Sequence, residues 1–305
     1  MMKKDRAVIA VIGGSGLYEM KGVSNAREVR VKTPFGRHSE PLIVGELGGV
    51  GCAFLPRHGK GHVVLPSEIN ARANIYALKS LGVERIVAVG AVGSLKEELG
   101  PGDLFLPDQL VDETKGRAST FFGGGLVAHV AFDRPFCPVS REFLIDRARE
   151  SGMALREGGV HVCMEGPAFS TKAESEYHRR QGYSVIGMTS VPESKLAREA
   201  EICYALINFI TDYDCWKEGS EVSQDKVLEY LALGAGKAKS LLEKSLPDLA
   251  RLPRGGCSCI EALKRAIVTD PKAASPSAVR KLDLLVGKYL RPAKPAGRRR
   301  EPVLS

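Results

Sequence analysis

A chain of 305 residues, 44% hydrophobic and 26% charged, has the composition of a folded globular protein, long enough for one large domain or two modest ones, and global disorder is excluded. Apolar runs such as Ala7–Ile12 and Ile86–Val92 are strand-sized, far below the ~20 residues of a membrane span, so no transmembrane helix is expected; too few apolar residues follow the basic start for a secretory signal, and a cytoplasmic location is expected. Of the net charge of +8, residues 269–305 carry +6 (nine Lys or Arg against three acids), which leaves +2 for residues 1–268; without a basic stripe and interleaved aromatics in the body, nucleic acid is not an expected partner.

The first element is the β-branched run Ala7–Ile12, which stops at Gly13-Gly14-Ser15-Gly16 and reads as a buried strand entering a glycine turn. Further strand-like runs are Pro41–Leu47, Gly51–Leu55, Arg85–Val92, Leu104–Leu110, Gly158–Met164, Ser184–Met188 and Tyr204–Thr211. Between them helical spacing predicts Glu68–Leu81, capped by Ser67, and then Arg141–Glu150, Thr171–Gln181, Pro192–Glu201 and Ser223–Ser245. This alternation predicts a single α/β domain with a mainly parallel, mixed central sheet flanked by helices, over residues 1–268. Residues 269–305 read as a basic C-terminal extension, with a short helix at Val279, Leu282, Leu285, Val286 and Tyr289 and then disorder from Pro292.

The loops after the strands concentrate the chemistry. Gly13–Gly16 can form a phosphate nest or a plain tight turn, and it fits neither the dinucleotide fingerprint nor a P-loop. Leu55-Pro56-Arg57-His58-Gly59-Lys60-Gly61-His62 places four groups that are or can become cationic beside two glycines, a pattern suited to an anion: Arg57 can bind phosphate bidentately and His58 can donate a further bond. Met164–Thr171 carries an aromatic, Phe169, where a planar ligand could stack. Gly187-Met188-Thr189 and Thr211-Asp212-Tyr213-Asp214-Cys215-Trp216 end two more strands, and ligands of open α/β sheets bind at such ends. The seven cysteines lack the paired CxxC spacing of a zinc site and read as reduced thiols; in a hyperthermophile's cytosol the pairs Cys257–Cys259 and Cys137–Cys203 are candidates for disulfides.

From Ile9 to about Leu246 the chain resembles the methylthioadenosine phosphorylases, within the trimeric purine nucleoside phosphorylase superfamily. The resemblance is carried by IGGSGL, TPFGRHSEP, RHGKGH with LPSEIN, AVGSL, PGDL, PFCP, EGPAFST, GMTSVPE and TDYDCW in that order. It implies phosphate contacts from Ser15, Arg57, His58 and Thr189 with the Gly90–Ala91 backbone, Phe169 against adenine, and Met188 under the ribose. Tyr213 would lie beside the base with Asp212 and Asp214, and Ser170 and Gln224 bear on specificity. His129 matches a histidine lent to the adjoining subunit, which implies a homo-oligomer, a trimer or a dimer of trimers. Three departures stand out: Gly90 where a hydroxyl residue is common, Ala168 where a basic one is, and Gln224 in a stretch that is usually more apolar.

The implied reaction is phosphorolysis of S-methyl-5′-thioadenosine to adenine and 5-methylthioribose 1-phosphate, with inorganic phosphate as co-substrate and neither metal nor organic cofactor. Phosphate would act as nucleophile and counter-charge to an oxocarbenium-like state, Asp212 would serve purine N7, and Asp214 would accept from the 6-amino group. The alternatives are a phosphorylase of broader or 6-oxopurine specificity (adenosine, inosine, guanosine, methylthioinosine) and a hydrolytic nucleosidase, in which Arg57 and His58 would lack a purpose.

Overall fold

The computed structural model describes residues 6–14, 20–218 and 224–290, the side chains of 224–227 excepted. Its elements in chain order are β1 (Ile9–Gly13), β2 (Ser24–Val29), β3 (Leu42–Leu47), β4 (Val50–Pro56), α1 (Ala71–Ser80), β5 (Arg85–Ser94), β6 (Leu104–Leu106), β7 (Gln109–Glu113) and α2 (Pro138–Glu150). There follow β8 (Leu155–Glu157), β9 (Val160–Met164), α3 (Lys172–Arg180), β10 (Val185–Gly187), α4 (Ser190–Glu199), β11 (Cys203–Asp212), α5 (Gln224–Arg251), α6 (Pro276–Lys281) and α7 (Asp283–Leu290).

The eleven strands of the described residues form one sheet in the order β2-β3-β4-β1-β5-β10-β9-β7, with β11 on β5 and β6, and β8 on β6. The pairings around β1, β5 and β11 are parallel, whereas β2–β3–β4, β10–β5 and β11–β6 are antiparallel, so the expected mixed, mainly parallel sheet is what forms. Strand alternation sends successive side chains to opposite faces. Ala10, Ile12, Ile86, Ala88, Tyr204 and Leu206 join a core under α1, α4, α6 and α7. Ile9, Val11, Val87, Val89, Ala205 and Ile207 join a second core under α2 and α5. A sheet covered on both faces explains why its central strands read as continuous apolar runs, and each buried Leu or Ile stabilises the fold by about 1.5–3 kcal/mol.

Four local expectations change. The run 104–110 is two strands separated at Pro107, which cannot donate to a ladder. The cap of α1 is Asn70, whose side chain accepts from the Ala73 amide at 3.1 Å; Ser67 instead sits in a 3-10 turn, Pro66–Glu68. Helix α5 runs through Pro247 to Arg251, because buried Leu246 and Leu249 hold its last turns on the second core. Strand β2, an exposed edge without apolar alternation, had no sequence signal. Within 269–290, Ala278, Leu282, Leu285 and Val286 are buried in the first core, and the Tyr289 hydroxyl donates to Glu201 Oε1 at 2.5 Å. Residues 291–305, expected to be disordered, lie outside the described residues.

Candidate active site

The topology opens a gap in the middle of the sheet. On one edge of β5, β1 pairs only as far as Ala88, and on the same path β10 begins pairing at Gly93. Residues 89–92 lie between the two pairings, where the strand order diverges and an α/β sheet places its ligand. Consistent with an opening there, Gly90 is half-buried and Ala91 exposed, whereas residues 85–89 of the strand are buried.

Arg57 enters this gap from the end of β4. It is 2% exposed, and its guanidinium donates to Val89 O at 2.7 Å, to Ile12 O at 3.3 Å, and to Glu193 through Nε (2.6 Å to Oε1) and Nη2 (3.2 Å to Oε2). The bidentate face that the sequence assigns to an anion is thus turned on Glu193, and an anion meets only what remains on the fork. Burial is the largest influence and would lower the Arg57 pKa, but the Glu193 charge, its hydrogen bond and the neighbouring Tyr204 and Cys163 together offset it, and the net shift is upward. Glu193 is 1% exposed and also accepts from the Tyr204 hydroxyl at 3.2 Å. As an acid in the first turn of α4 it reads as an ordinary dipole partner, and nothing local marks it as the anchor of Arg57.

His58 stacks on His62 at 4.2 Å, and its Nδ1 lies 2.9 Å from Val64 O. A carbonyl can only accept, so Nδ1 carries the proton and the neutral ring offers Nε2 as an acceptor. Burial, outweighing that carbonyl bond and joined by the nearby Arg57 and His62 charges, lowers its pKa to about 4. As the neutral ring it has no N–H left for an anion.

Thr189 precedes α4 and makes no side-chain capping bond. A Cβ on Gly90 would lie 3.6 Å from Thr189 Oγ1 and 3.8 Å from Asn208 Oδ1, so these groups meet across β5 with room for a small side chain. Ser15 lies outside the described residues.

At the other end, Asp212 closes β11 at a register shift. Its Oδ2 accepts from Thr211 Oγ1 at 2.6 Å and its Oδ1 from the Asp214 amide at 2.8 Å. Burial raises its pKa against these bonds. Asp214 has φ 51°, an unusual conformation for a non-glycine residue, and its buried Oδ2 has no partner among the described residues. Gly93 makes the approach feasible, since a Cβ there would stand 3.0 Å from Asp212 Oδ1 and 3.3 Å from Asp214 Cβ. Tyr213 donates to Glu97 O at 3.4 Å, and Trp216 Nε1 to Ser94 O at 2.8 Å.

The 164–170 loop closes this end. Cys215 Sγ lies 3.3 Å from Ser170 O, linking it to the loop after β11. Gly166, at φ 69°, admits the Met188 thioether: a Cβ would come within 2.5 Å of its Sδ. Arg117, a single cation in a loop with no motif around it, clamps the two loops by donating to Glu165 O at 2.6 Å, Met188 O at 2.7 Å and Val191 O at 2.8 Å. Phe169 is 76% exposed. Exposed His129 is tied by its amide to Ala266 O at 2.8 Å, on a surface segment with Val127 (42% exposed) and Val268 (58% exposed). Gln224 opens α5, but its side chain lies outside the described residues.

Of possible metal ligands, Cys137, Cys203, Cys257 and Cys259 converge, with all four Sγ atoms within 4.8 Å of one another. The spacing along the chain lacks paired CxxC groups, and the fold instead brings these four together from distant segments. No described helix is long and apolar enough to cross a membrane.

A family model described as "Phosphorylase superfamily" matches residues 8–247. An S-methyl-5′-thioadenosine phosphorylase of Geobacter sulfurreducens is 50% identical over 285 residues, 93% of this chain and 99% of the relative. A solved methylthioadenosine phosphorylase from an antarctic soil metagenomic library superposes with a TM-score of 0.88 at 45% identity, over 92% of this chain and 99% of that one. A mutant adenosine/methylthioadenosine phosphorylase of Schistosoma mansoni, solved in complex with tubercidin, superposes with a TM-score of 0.78 at 38% identity, over 85% of this chain and 96% of that one. Sheet, motifs and near full-length relatives agree, and the chain belongs to the phosphorylase superfamily, among the S-methyl-5′-thioadenosine phosphorylases.

Proposed function

We propose that the chain transfers the sugar of S-methyl-5′-thioadenosine from adenine to inorganic phosphate, releasing adenine and 5-methylthioribose 1-phosphate. The observation that carries this reading is the 50% identity to a relative of that name over 99% of its length. The cleft geometry supports it. Phosphate lies over residues 89–91 against Thr189, the remaining Arg57 N–H and Ser15, and His58 joins them only where the phosphate charge protonates its ring. One phosphate oxygen bonds the anomeric carbon as the N-glycosidic bond breaks, and the phosphate charge offsets the cation-like sugar. Asp212, its pKa raised by burial, gives a proton to purine N7, and the departing base leaves neutral. Asp214 Oδ2, buried without a partner among the described residues, accepts from the 6-amino group, a contact that a 6-oxopurine cannot supply. Phe169 closes over the base, Met188 lies under the ribose, and Tyr213 and Ser170 shape the pocket wall. No metal or organic cofactor takes part in these steps.

The Schistosoma mansoni relative, named for adenosine as well as methylthioadenosine, favours a second reading in which the 5′ pocket near Gln224 also admits a hydroxyl. The enzyme is an oligomer in this account, a trimer or a dimer of trimers, with exposed His129 completing the sugar pocket of the adjoining subunit. Assays with and without phosphate test the central claim: adenine is released from methylthioadenosine only with phosphate, and equal release without it would establish hydrolysis instead. Adenosine in the same assay separates the two substrate ranges, and mixed oligomers of His129→Ala with a chain inactivated at Asp212 recover activity only if His129 acts across subunits.

A further inference from the structure

The four converging cysteines lie outside the cleft, and none of the proposed chemistry uses them. Cys137 precedes α2, Cys203 opens β11, and Cys257 and Cys259 flank the start of a 3-10 turn, Ser258–Glu261. Three are 1% exposed and Cys257 is 5% exposed. Cys257 Sγ lies 3.4 Å from Cys137 Sγ and 3.5 Å from Cys203 Sγ. A tetrahedral zinc ion, with Zn–S of about 2.3 Å, holds its sulfurs about 3.8 Å apart. The sulfurs already stand near that spacing, so binding needs only small side-chain adjustments.

We infer that Cys137, Cys203, Cys257 and Cys259 form a structural zinc(II) site, closed to substrate, that pins the segment after α5 to the sheet. Binding replaces four thiol protons by four Zn–S bonds, Zn²⁺ + 4 Cys–SH giving Zn(Cys)₄²⁻ + 4 H⁺, with no change of oxidation state. Arg134, Arg198 and Asp133 line a cleft that includes Ser258 of the same turn. The mechanical consequence follows from chain order. Residues 257–259 are followed by the turn whose Leu263 amide donates to Glu201 Oε1 at 3.1 Å, and by the 266–268 stretch that holds His129. The ion therefore ties down the support of His129.

The test uses the full-length protein, purified with reductant and without chelator from zinc-supplemented cells. Elemental analysis is expected to give about one zinc per chain, and native thiol titration to leave these four cysteines unreactive until a chelator is added. Cobalt exchanged into the site should give the intense sulfur-to-metal charge-transfer absorption of a tetrathiolate, and metal removal under reductant should lower the Tm by roughly 5 °C. Cys259→Ser should lose the metal, whereas Cys215→Ser, altered at the exposed cysteine, should keep it. Four free thiols without metal would overturn the site. So would a mass for the unreduced protein that shows these cysteines paired in two disulfides. Should Cys259→Ser fail to fold, the zinc content and cobalt spectrum of the unaltered chain decide the matter alone.

Discussion

At the Arg57 end of the cleft every buried charge has a partner, whereas at the Asp214 end a buried carboxylate oxygen has none among the described residues. At the first end the cation itself is fully met: Glu193, Tyr204 and the carbonyls of Ile12 and Val89 fix Arg57 in place, while the nearby neutral atoms Asn208 Oδ1 and Ser190 Oγ have no partner among the described residues. The second is left incomplete, with Asp214 at a positive φ, Asp212 raised in pKa by burial, and Phe169 out in solvent. An unmet buried acceptor costs stability, so its presence in a strand-end cleft is a hydrogen-bonding demand that a ligand can satisfy. Changes at the first end should therefore damage folding, and changes at the second should damage catalysis while leaving folding intact or improved.

Glu193→Ala breaks the comparison most severely. It leaves a buried guanidinium without its counter-charge, and removing one partner of a buried pair costs about 3–5 kcal/mol. Urea unfolding at fixed protein concentration measures this, and a loss below about 1 kcal/mol would mean that Arg57 relaxes to solvent. Asp212→Asn should show the converse. We expect kcat on methylthioadenosine to fall by ~10²-fold or more, and activity on inosine to fall less. Because burial raises the folded pKa of Asp212 above its unfolded value, the native state favours the protonated acid. Its contribution is fully present below the unfolded pKa and is lost as pH rises through the folded one. At neutral pH the wild-type carboxylate thus opposes folding, and the Asn variant should be at least as stable as wild type there while being nearly inactive. An unchanged kcat would reduce Asp212 to a turn residue.

The pattern of what could be read from sequence follows the same division. The loops bearing Arg57, His58, Thr189 and Asp212 were legible because each ends an apolar strand, and a strand covered on both faces announces itself by composition. The resemblance then supplied their order and roles. The supports were not legible. Glu193 looks like any acid in a first helical turn, Arg117 like a solvated loop cation, and the four cysteines are separated by up to 122 positions, so only the folded sheet brings them together. Local pattern reports which face of an element is buried, and it carries no information on which distant side chain shares that burial.

His58 sharpens the comparison through pH. Its folded pKa is lowered to about 4 from an ordinary 6.5, so it contributes stability that is present above the unfolded value and is lost as pH falls from about 6.5 towards 4. With Nδ1 committed to Val64 O, the ring can donate to an anion only as imidazolium. If phosphate sits against Nε2, its charge should raise the His58 pKa, and the acid-side loss of stability should shrink in phosphate buffer relative to a non-binding buffer of equal ionic strength. An NMR titration of the His58 ring reads this directly, and a pKa indifferent to phosphate would remove His58 from the anion site.

Phe169→Ala tests the open end without touching the fold. A side chain this exposed contributes little to packing, and stability should stay within about 0.5 kcal/mol of wild type. If the ring stacks on adenine in the complex, KM for the nucleoside should rise about tenfold, within the ~1–3 kcal/mol typical of a base on an aromatic face. Phe169→Tyr keeps the face and should restore most of the affinity; equal behaviour of the Ala and Tyr variants would mean the ring does not stack.

The smallest expected effect lies where the two ends meet, at Gly90. The absent side chain leaves ordinary contact distances to Thr189 Oγ1 and Asn208 Oδ1, and nothing in the strand conformation there demands glycine. Gly90→Ser adds a hydroxyl pointed at the region assigned to phosphate, in a sheet already fixed by β1 and β11. A single added hydrogen bond to a charged partner contributes on the order of 1.5 kcal/mol, so KM for phosphate should fall by roughly tenfold or less, with KM for the nucleoside unchanged. Were the serine instead to raise the phosphate KM while the protein stayed folded, the space beside Gly90 would be needed for the anion itself, and the glycine would be a fitted part of the site rather than a missing donor.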